Sequence, residues 1–138
     1  MRTNDVRPAD DQSIADDAIL WRRIHPNHFI HDENRGGLRP SSAAFANHKS
    51  RQVMSVILAD VSLRCDRGPN EVLALYSGYA LAAITAGTAR ECQQAVVPEP
   101  LPDEPGHAVV AGEKTKAVMR RLAAAAVWII APSTAAPG

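Results

Sequence analysis

Proline and glycine cut this chain into short segments, and that punctuation constrains its fold more than any other feature. Ten prolines and eight glycines are spread through 138 residues. Pro26 closes the apolar stretch Ala18–His25, and Arg39-Pro40 holds Arg39 extended, because a residue before proline avoids helical geometry. Gly68-Pro69 opens a helix with proline in its first turn, and Gly78 stops it after Tyr76. Pro98, Pro100, Pro102 and Pro105, with acids between them, make a stiff loop, and Pro132 ends the last apolar segment.

The pieces between these breaks carry readable patterns. Ala18–His25 is rich in β-branched and aromatic residues and reads as a strand. Alternation sets Leu20, Arg22 and Ile24 on one face and Ile19, Trp21, Arg23 and His25 on the other. Arginine therefore falls on both faces, so at least one of them meets a polar site or an edge rather than a dry core. Val53–Leu58 and His107–Ala111 are further strands, and the alanine-rich Tyr79–Ala86, bounded by Gly78 and Gly87, is read as a buried strand in preference to a helix. Residues 28–31 form a brief extended piece before a turn-rich loop over Asp32–Gly37. Ser41 or Ser42 caps a short turn through Phe45. Ser13 caps a turn to Asp17, and Thr88 with Glu91 forms a capping box. Lys116–Ile130 is the closing helix, with Val118, Leu122 and Ile129 at helical spacing. The expected fold is one α+β domain over residues 13–131, with about four strands in a mostly antiparallel sheet and about three helices, a C-terminal one included. Residues 1–12 are read as a flexible leader and 132–138 as a flexible tail.

Charge narrows the partners. Fifteen basic residues balance fifteen acidic ones, which speaks against a nucleic-acid-binding surface and against a polybasic membrane anchor. The N-terminal residues lack the apolar core of a signal peptide, and the most apolar run, Leu122–Ala131, is half the roughly twenty residues a bilayer span requires. Cys65 and Cys92 have no zinc-type spacing and read as free, buried thiols of a cytoplasmic protein.

The richest polar cluster is Arg22, Arg23 and His25 with Arg35, Arg39, Ser41 and Ser42 downstream. Guanidinium forks suit phosphates and carboxylates, and hydroxyls near a turn add donors. The structural alternative is that Arg22 or Arg23 pairs with Asp32 or Glu33 and serves only the fold. His25, His28 and His31 lie near Asp32 and Glu33, but Pro26 forbids the helical spacing of a zinc enzyme, so only a folded-back loop could gather them on a metal ion. For acid–base chemistry the candidates are His107, whose side-chain type titrates near neutrality, and Glu91, which the capping box also explains. Gly112-Glu113-Lys114-Thr115 fails the spacing of a phosphate-binding P-loop, and no Gly-x-Ser-x-Gly elbow is present.

The string Leu20-Trp21-Arg22-Arg23-Ile24-His25-Pro26, then Asp32-Glu33-Asn34, Arg39-Pro40-Ser41-Ser42-Ala43-Ala44-Phe45 and Met54-Ser55-Val56, resembles a family of short uncharacterised bacterial proteins. That resemblance implies bacterial origin and a shared fold, and no activity. A second, fainter similarity is to small ADP-ribosyltransferase-like domains, including RES-type toxins that consume NAD. It implies a cofactor-touching arginine at Arg23 and a later hydroxyl at Ser41 or Ser42, with Glu91 or His107 standing in for the missing catalytic motif. The leading expectation is a binding or accessory module that recognises an anionic group on a nucleotide or protein partner through the Arg–Ser cluster. An NAD-using transferase or hydrolase comes second, and a metal-dependent hydrolase third.

Overall fold

The computed structural model describes residues 9–132, the side chain of Arg35 excepted, so the leader before residue 9 and the tail after Pro132 lie outside the described residues. The strands are β1 (Ile19–Ile24), β2 (Phe29–Asp32), β3 (Gly37–Pro40), β4 (Val53–Leu58), β5 (Ala80–Thr85), β6 (Ala95–Pro98), β7 (His107–Ala111) and β8 (Val127–Ile130). The helices are α1 (Ala59–Arg64), α2 (Pro69–Val72), α3 (Ala86–Glu91) and α4 (Lys116–Ala125). Six strands form one antiparallel sheet in the order β6-β7-β4-β1-β5-β8, and β2 and β3 form a separate hairpin. The α+β class and the antiparallel sheet are as expected. The element count is not: among the described residues there are eight strands in two sheets and four α-helices.

The differences have local causes. The closing helix stops at Ala125, Ala126 turns extended (φ −70°, ψ 141°), and Val127–Ile130 pairs with β5 as an edge strand. Val, Trp and two Ile pack better on a pleated surface than on a helix, and the free edge of β5 offers the ladder. Strand β5 runs directly into α3, so Thr85 caps the helix by accepting from the Thr88 amide at 3.1 Å. The expected box at Thr88 and Glu91 is therefore displaced by one turn, and Glu91 ends the helix it was to start. Helix α2 ends at Val72 rather than Tyr76. The hairpin closes through Gly36 at φ 71° after Asp32 caps the Asn34 amide. The short edge strand β6 ends on Pro98, where the missing N–H costs least.

At the N-terminus, Asp11 rather than Ser13 is the cap, accepting from the Ser13 amide at 2.9 Å. The Asp11 amide donates to the Val96 carbonyl at 2.9 Å and Asp10 accepts from the Val96 amide at 2.8 Å, so the last residues of the expected leader are docked on β6. Both cysteines are free, but only Cys92 is buried; Cys65, at the end of α1, is exposed. No helix among the described residues is long and apolar enough to cross a membrane.

The sheet buries both faces. Leu20, Ile24, Met54, Val56, Ile84 and Val110 meet Phe45, Leu122 and Ala123 in the main core, under α3, α4 and the 3₁₀ turn Ser42–Phe45. Trp21, Ile57, Leu81 and Ala83 meet Val72 in a smaller cluster on the opposite face. Each large apolar side chain so buried contributes about 1.5–3 kcal/mol. The β1 alternation read from the sequence holds: Leu20 and Ile24 enter one cluster and Trp21 the other. Arg22 stands between Leu20 and Ile24 on the core-facing row, and the candidate site begins there.

Candidate functional site: an open seam between two central strands

Strands β1 and β4 pair only at Leu20 with Leu58 and Trp21 with Ile57. The same register would bring Arg22 opposite Val56 and Arg23 opposite Ser55, but there the strands part, while β4 stays paired with β7 through Val53. The sheet thus opens along its central seam. The Arg22 guanidinium fills the opening: Nε donates to the Ala44 carbonyl at 3.0 Å and Nη1 to the Ser55 carbonyl, which β1 does not reach, at 2.8 Å. A guanidinium replaces the ladder hydrogen bond that the diverging backbone gives up.

That substitution puts a cation where a sheet normally holds peptide groups. Among the described residues Arg22 forms no ion pair, and its Nη2 has no hydrogen-bond partner. Loss of water, and then the charge of Arg23, lower its pKa to about 10. Its field reaches outwards. Burial and then Arg22 lower the Lys114 ammonium to about 8, and burial, His25 and Arg22 together lower the His28 imidazole. Lys114 likewise rests on neutral oxygens, with Nζ donating to Asn47 Oδ1 at 2.7 Å and to the Val110 and Gly112 carbonyls at 3.0 and 3.1 Å.

The mouth of the seam is a cavity of about 250 Å³ lined by Arg22, Arg23, His25, His28, Ser55, Tyr76, Tyr79 and His107, with Val56 and Ile57 among its apolar residues. Arg23 lines the cavity but is already neutralised: its guanidinium pairs with Glu104, donates to the Val72 carbonyl at 2.9 Å and stacks 4.1 Å from the centroid of the Tyr76 ring. Arg67 also lies 3.8 Å from Glu104. His25, Tyr79 and Tyr76 continue edge to face, with centroids 5.1 and 5.2 Å apart. His107 enters from the first residue of β7. Gly106 just before it passes so close to β4 that an added Cβ would lie 2.9 Å from the Leu58 carbonyl, and Leu58 N–H donates to the Gly106 carbonyl at 2.7 Å. His107 Nδ1 is 2.8 Å from the Glu99 carbonyl and Nε2 is 3.2 Å from Ser55 Oγ.

The residues singled out from sequence therefore divide. Arg22, Arg23, His25 and His107 come together, although His107 is remote in the chain. Arg39, Ser41 and Ser42 do not join them; they line a different cavity, of about 380 Å³, with Asp32, Arg120 and Ala123. The hairpin turns them towards α4, and Arg39 Nε is paired with Asp32 Oδ2 at 2.9 Å. Ser41 Oγ is buried there without a hydrogen-bond partner. Neither Arg22 nor Arg23 pairs with Asp32 or Glu33: Arg23 takes Glu104 and Arg22 takes backbone. Glu91 lies on α3 in an exposed pair with Arg121 at 3.3 Å and does not line the seam. His25 and His28 face the cavity, but His31, on the hairpin, is not among its lining residues. No group of three or more His, Cys, Asp or Glu among the described residues is placed to hold a metal ion.

Ser55, Tyr76 and Tyr79 were absent from the sequence-based site. Ser55 had a signal, being the one polar residue in the strand Val53–Leu58, and a hydroxyl inside an apolar strand marks a place where that strand meets something polar. No family model, no curated protein and no solved structure matches this chain.

Proposed function

We propose that the seam cavity binds the phosphate or carboxylate of a small ligand, with Arg22 as the principal recognition group. The carrying observation is the partly buried Arg22 guanidinium, which among the described residues has no carboxylate partner and no hydrogen bond from Nη2, at a residue that lines the cavity. A cation removed from water without a counter-ion costs several kcal/mol, and an arriving anion offsets that cost. The free guanidinium edge offers the fork geometry that carboxylates and phosphates match. The His28 imidazole and the Lys114 ammonium are lowered by burial first and then by neighbouring cations that include Arg22, and the second cause fits a positive local potential. Tyr76, Tyr79 and His25 supply an aromatic wall for the body of the ligand. The cavity is smaller than the roughly 300–1,000 Å³ clefts that enclose drug-sized molecules. It thus suits one charged group with a short appendage, and favours a small molecule over the side chain of a partner protein.

An NAD-using activity is the second reading, favoured by the meeting of Arg23 and His107 in one cavity. Glu91, its other candidate, lies elsewhere, and Arg23 already has Glu104. The test is calorimetric titration of the protein with inorganic phosphate, ADP and NAD, alongside an assay for released nicotinamide. Binding of all three that disappears in Arg22→Met supports the anion site. Nicotinamide release that depends on His107 would make the NAD reading the leading one. Unchanged binding in Arg22→Met would remove the proposal.

A further inference from the structure

We propose that Ser55 and His107 are a nucleophile–base pair that hydrolyses carboxylic esters bearing a separate anionic group. The geometry specifies the protonation pattern. A backbone carbonyl only accepts, so the 2.8 Å contact with the Glu99 carbonyl makes His107 Nδ1 the donor. In the neutral ring the lone pair is then on Nε2, which faces Ser55 Oγ at 3.2 Å. The hydroxyl donates to that nitrogen, the arrangement a general base needs to take a serine proton. The Glu99 carboxylate adds negative charge 3.8 Å from Nδ1 and is itself held by Arg51 through two hydrogen bonds of 3.1 and 2.8 Å. Arg22 Nη1 grips the carbonyl of Ser55 itself, which holds the nucleophile's backbone at the open seam.

In the proposed reaction Ser55 Oγ attacks the ester carbonyl carbon and its proton passes to His107 Nε2. The ester C–O bond breaks, and the alcohol leaves with that proton. Water then attacks the acyl-serine and gives a proton to Nε2. The acyl–Oγ bond breaks, the acid is released, and Ser55 recovers its proton. The choice of an anionic substrate rests on the reading of Arg22 given above; the chemistry of the pair does not.

The experiment uses an uncharged fluorophosphonate, which needs no anion site, followed by peptide mass spectrometry. We expect one adduct, on Ser55, absent in Ser55→Ala and formed about 100-fold more slowly in His107→Gln. Labelling of Asp32→Asn, in the separate hairpin cavity, should stay within about twofold of the parent, while Arg22→Met should lose the preference for p-nitrophenyl succinate over p-nitrophenyl acetate. Ser55→Cys gives an independent readout: its new thiol should react with iodoacetamide faster than the exposed Cys65 of the same chain, and lose that advantage when His107→Gln is added. No adduct on Ser55, an undiminished rate in His107→Gln, or a Cys at position 55 no faster than Cys65 would each overturn the inference. If labelling fails while phosphate still binds, the pair is inert and the anion site stands. If labelling succeeds without phosphate binding, the pair acts on neutral esters and the anionic substrate is discarded.

Discussion

The two cavities that divide the sequence-derived cluster contain similar side chains and treat charge in opposite ways. Beside the hairpin, Arg39 lies 2.9 Å from Asp32, and both side chains keep contact with water, at 34% and 20% exposure. At the seam, Arg22 is partly withdrawn from water and among the described residues meets only backbone oxygens, while the neighbouring Arg23 takes the carboxylate of Glu104, which is 10% exposed. An arginine with its own acid is complete before any ligand arrives. An arginine held by peptide carbonyls still carries its full charge, and that charge is available. Residue type alone does not distinguish these cases; the counter-ion does.

Breaking the neutralised side of the seam should produce the largest effect. Glu104→Gln removes the counter-ion of Arg23 and the nearby Arg67 and leaves two cations facing each other in a poorly solvated place. Removing one member of a buried ion pair costs about 3–5 kcal/mol. Chemical denaturation should show a loss of that size at neutral pH, and phosphate should restore part of it by occupying the vacated position. A loss below about 1 kcal/mol would mean that Arg23 finds other partners and that its dependence on a carboxylate does not set it apart from Arg22.

Arg22→Met reverses that pattern, with a large effect on binding and a small one on stability. Truncating a desolvated charge that contacts an anion costs roughly 2–5 kcal/mol of affinity, about 30-fold or more in the dissociation constant for phosphate. The fold loses two hydrogen bonds to carbonyls but also loses an uncompensated cation, so the thermal midpoint should move much less than in Glu104→Gln. A collapse in stability with little change in affinity would make Arg22 a sheet-closing residue and nothing more.

The sequence resolved the parts of this arrangement that are local. Strands β1, β5 and β7 were legible because apolar runs ended at proline or glycine, β4 was legible from its apolar and β-branched run alone, and Arg22 stood out as a charge on the row of Leu20 and Ile24. Strand β8 was not, because Leu122–Ile130 is apolar almost throughout and such a run has no period to separate helix from strand. Of the strands of four residues, β2 was legible as the extended piece over 28–31 and β3 only through Arg39 before its proline, while β6 is too short for alternation to declare itself. The site was half legible for a related reason. Arg39, Ser41 and Ser42 were grouped with Arg22 by proximity in sequence, and the hairpin carries them away. Joining Arg22 to His107 and Ser55 depends on β4 lying between β1 and β7, a non-local pairing that no single segment encodes.

Lys114 extends the contrast into a pH dependence. Its ammonium is lowered to about 8, through burial first and the Arg22 charge second. The folded protein therefore binds fewer protons than the unfolded chain between about pH 8 and the ordinary lysine value of 10.5. Stability should accordingly rise with pH across that window, on the order of 2 kcal/mol in total once solvent screening of the partly exposed ammonium is discounted from the full linkage value. Denaturation midpoints measured from pH 7.5 to 10 should show the rise. Lys114→Met should flatten it, and Arg22→Met should reduce it by removing one of its two causes. A flat profile in the parent protein would mean that Asn47 and the Val110 and Gly112 carbonyls solvate the ammonium as well as water does.

The smallest effect should come from the hairpin cavity. Asp32→Asn frees Arg39 from its carboxylate, but the pair is already in contact with water, and exposed ion pairs contribute about 0–1 kcal/mol. Asp32 also caps the turn after β2 by accepting from the Asn34 amide at 3.0 Å. Asparagine retains that acceptor, so the substitution isolates charge from capping. Stability should therefore fall by less than about 1 kcal/mol, and phosphate affinity at the seam should stay within about twofold. The informative quantity is whether Asp32→Asn creates a second phosphate site. With its acid gone, Arg39 faces a cavity that also holds Arg120, Ser42 and the unpartnered Ser41 hydroxyl. If an uncompensated guanidinium in a concave site suffices for anion capture, titration should show one new weak site, lost again in Arg39→Met. If no second site appears, a free charge is insufficient, and the seam owes its capacity to the desolvation that the hairpin cavity lacks.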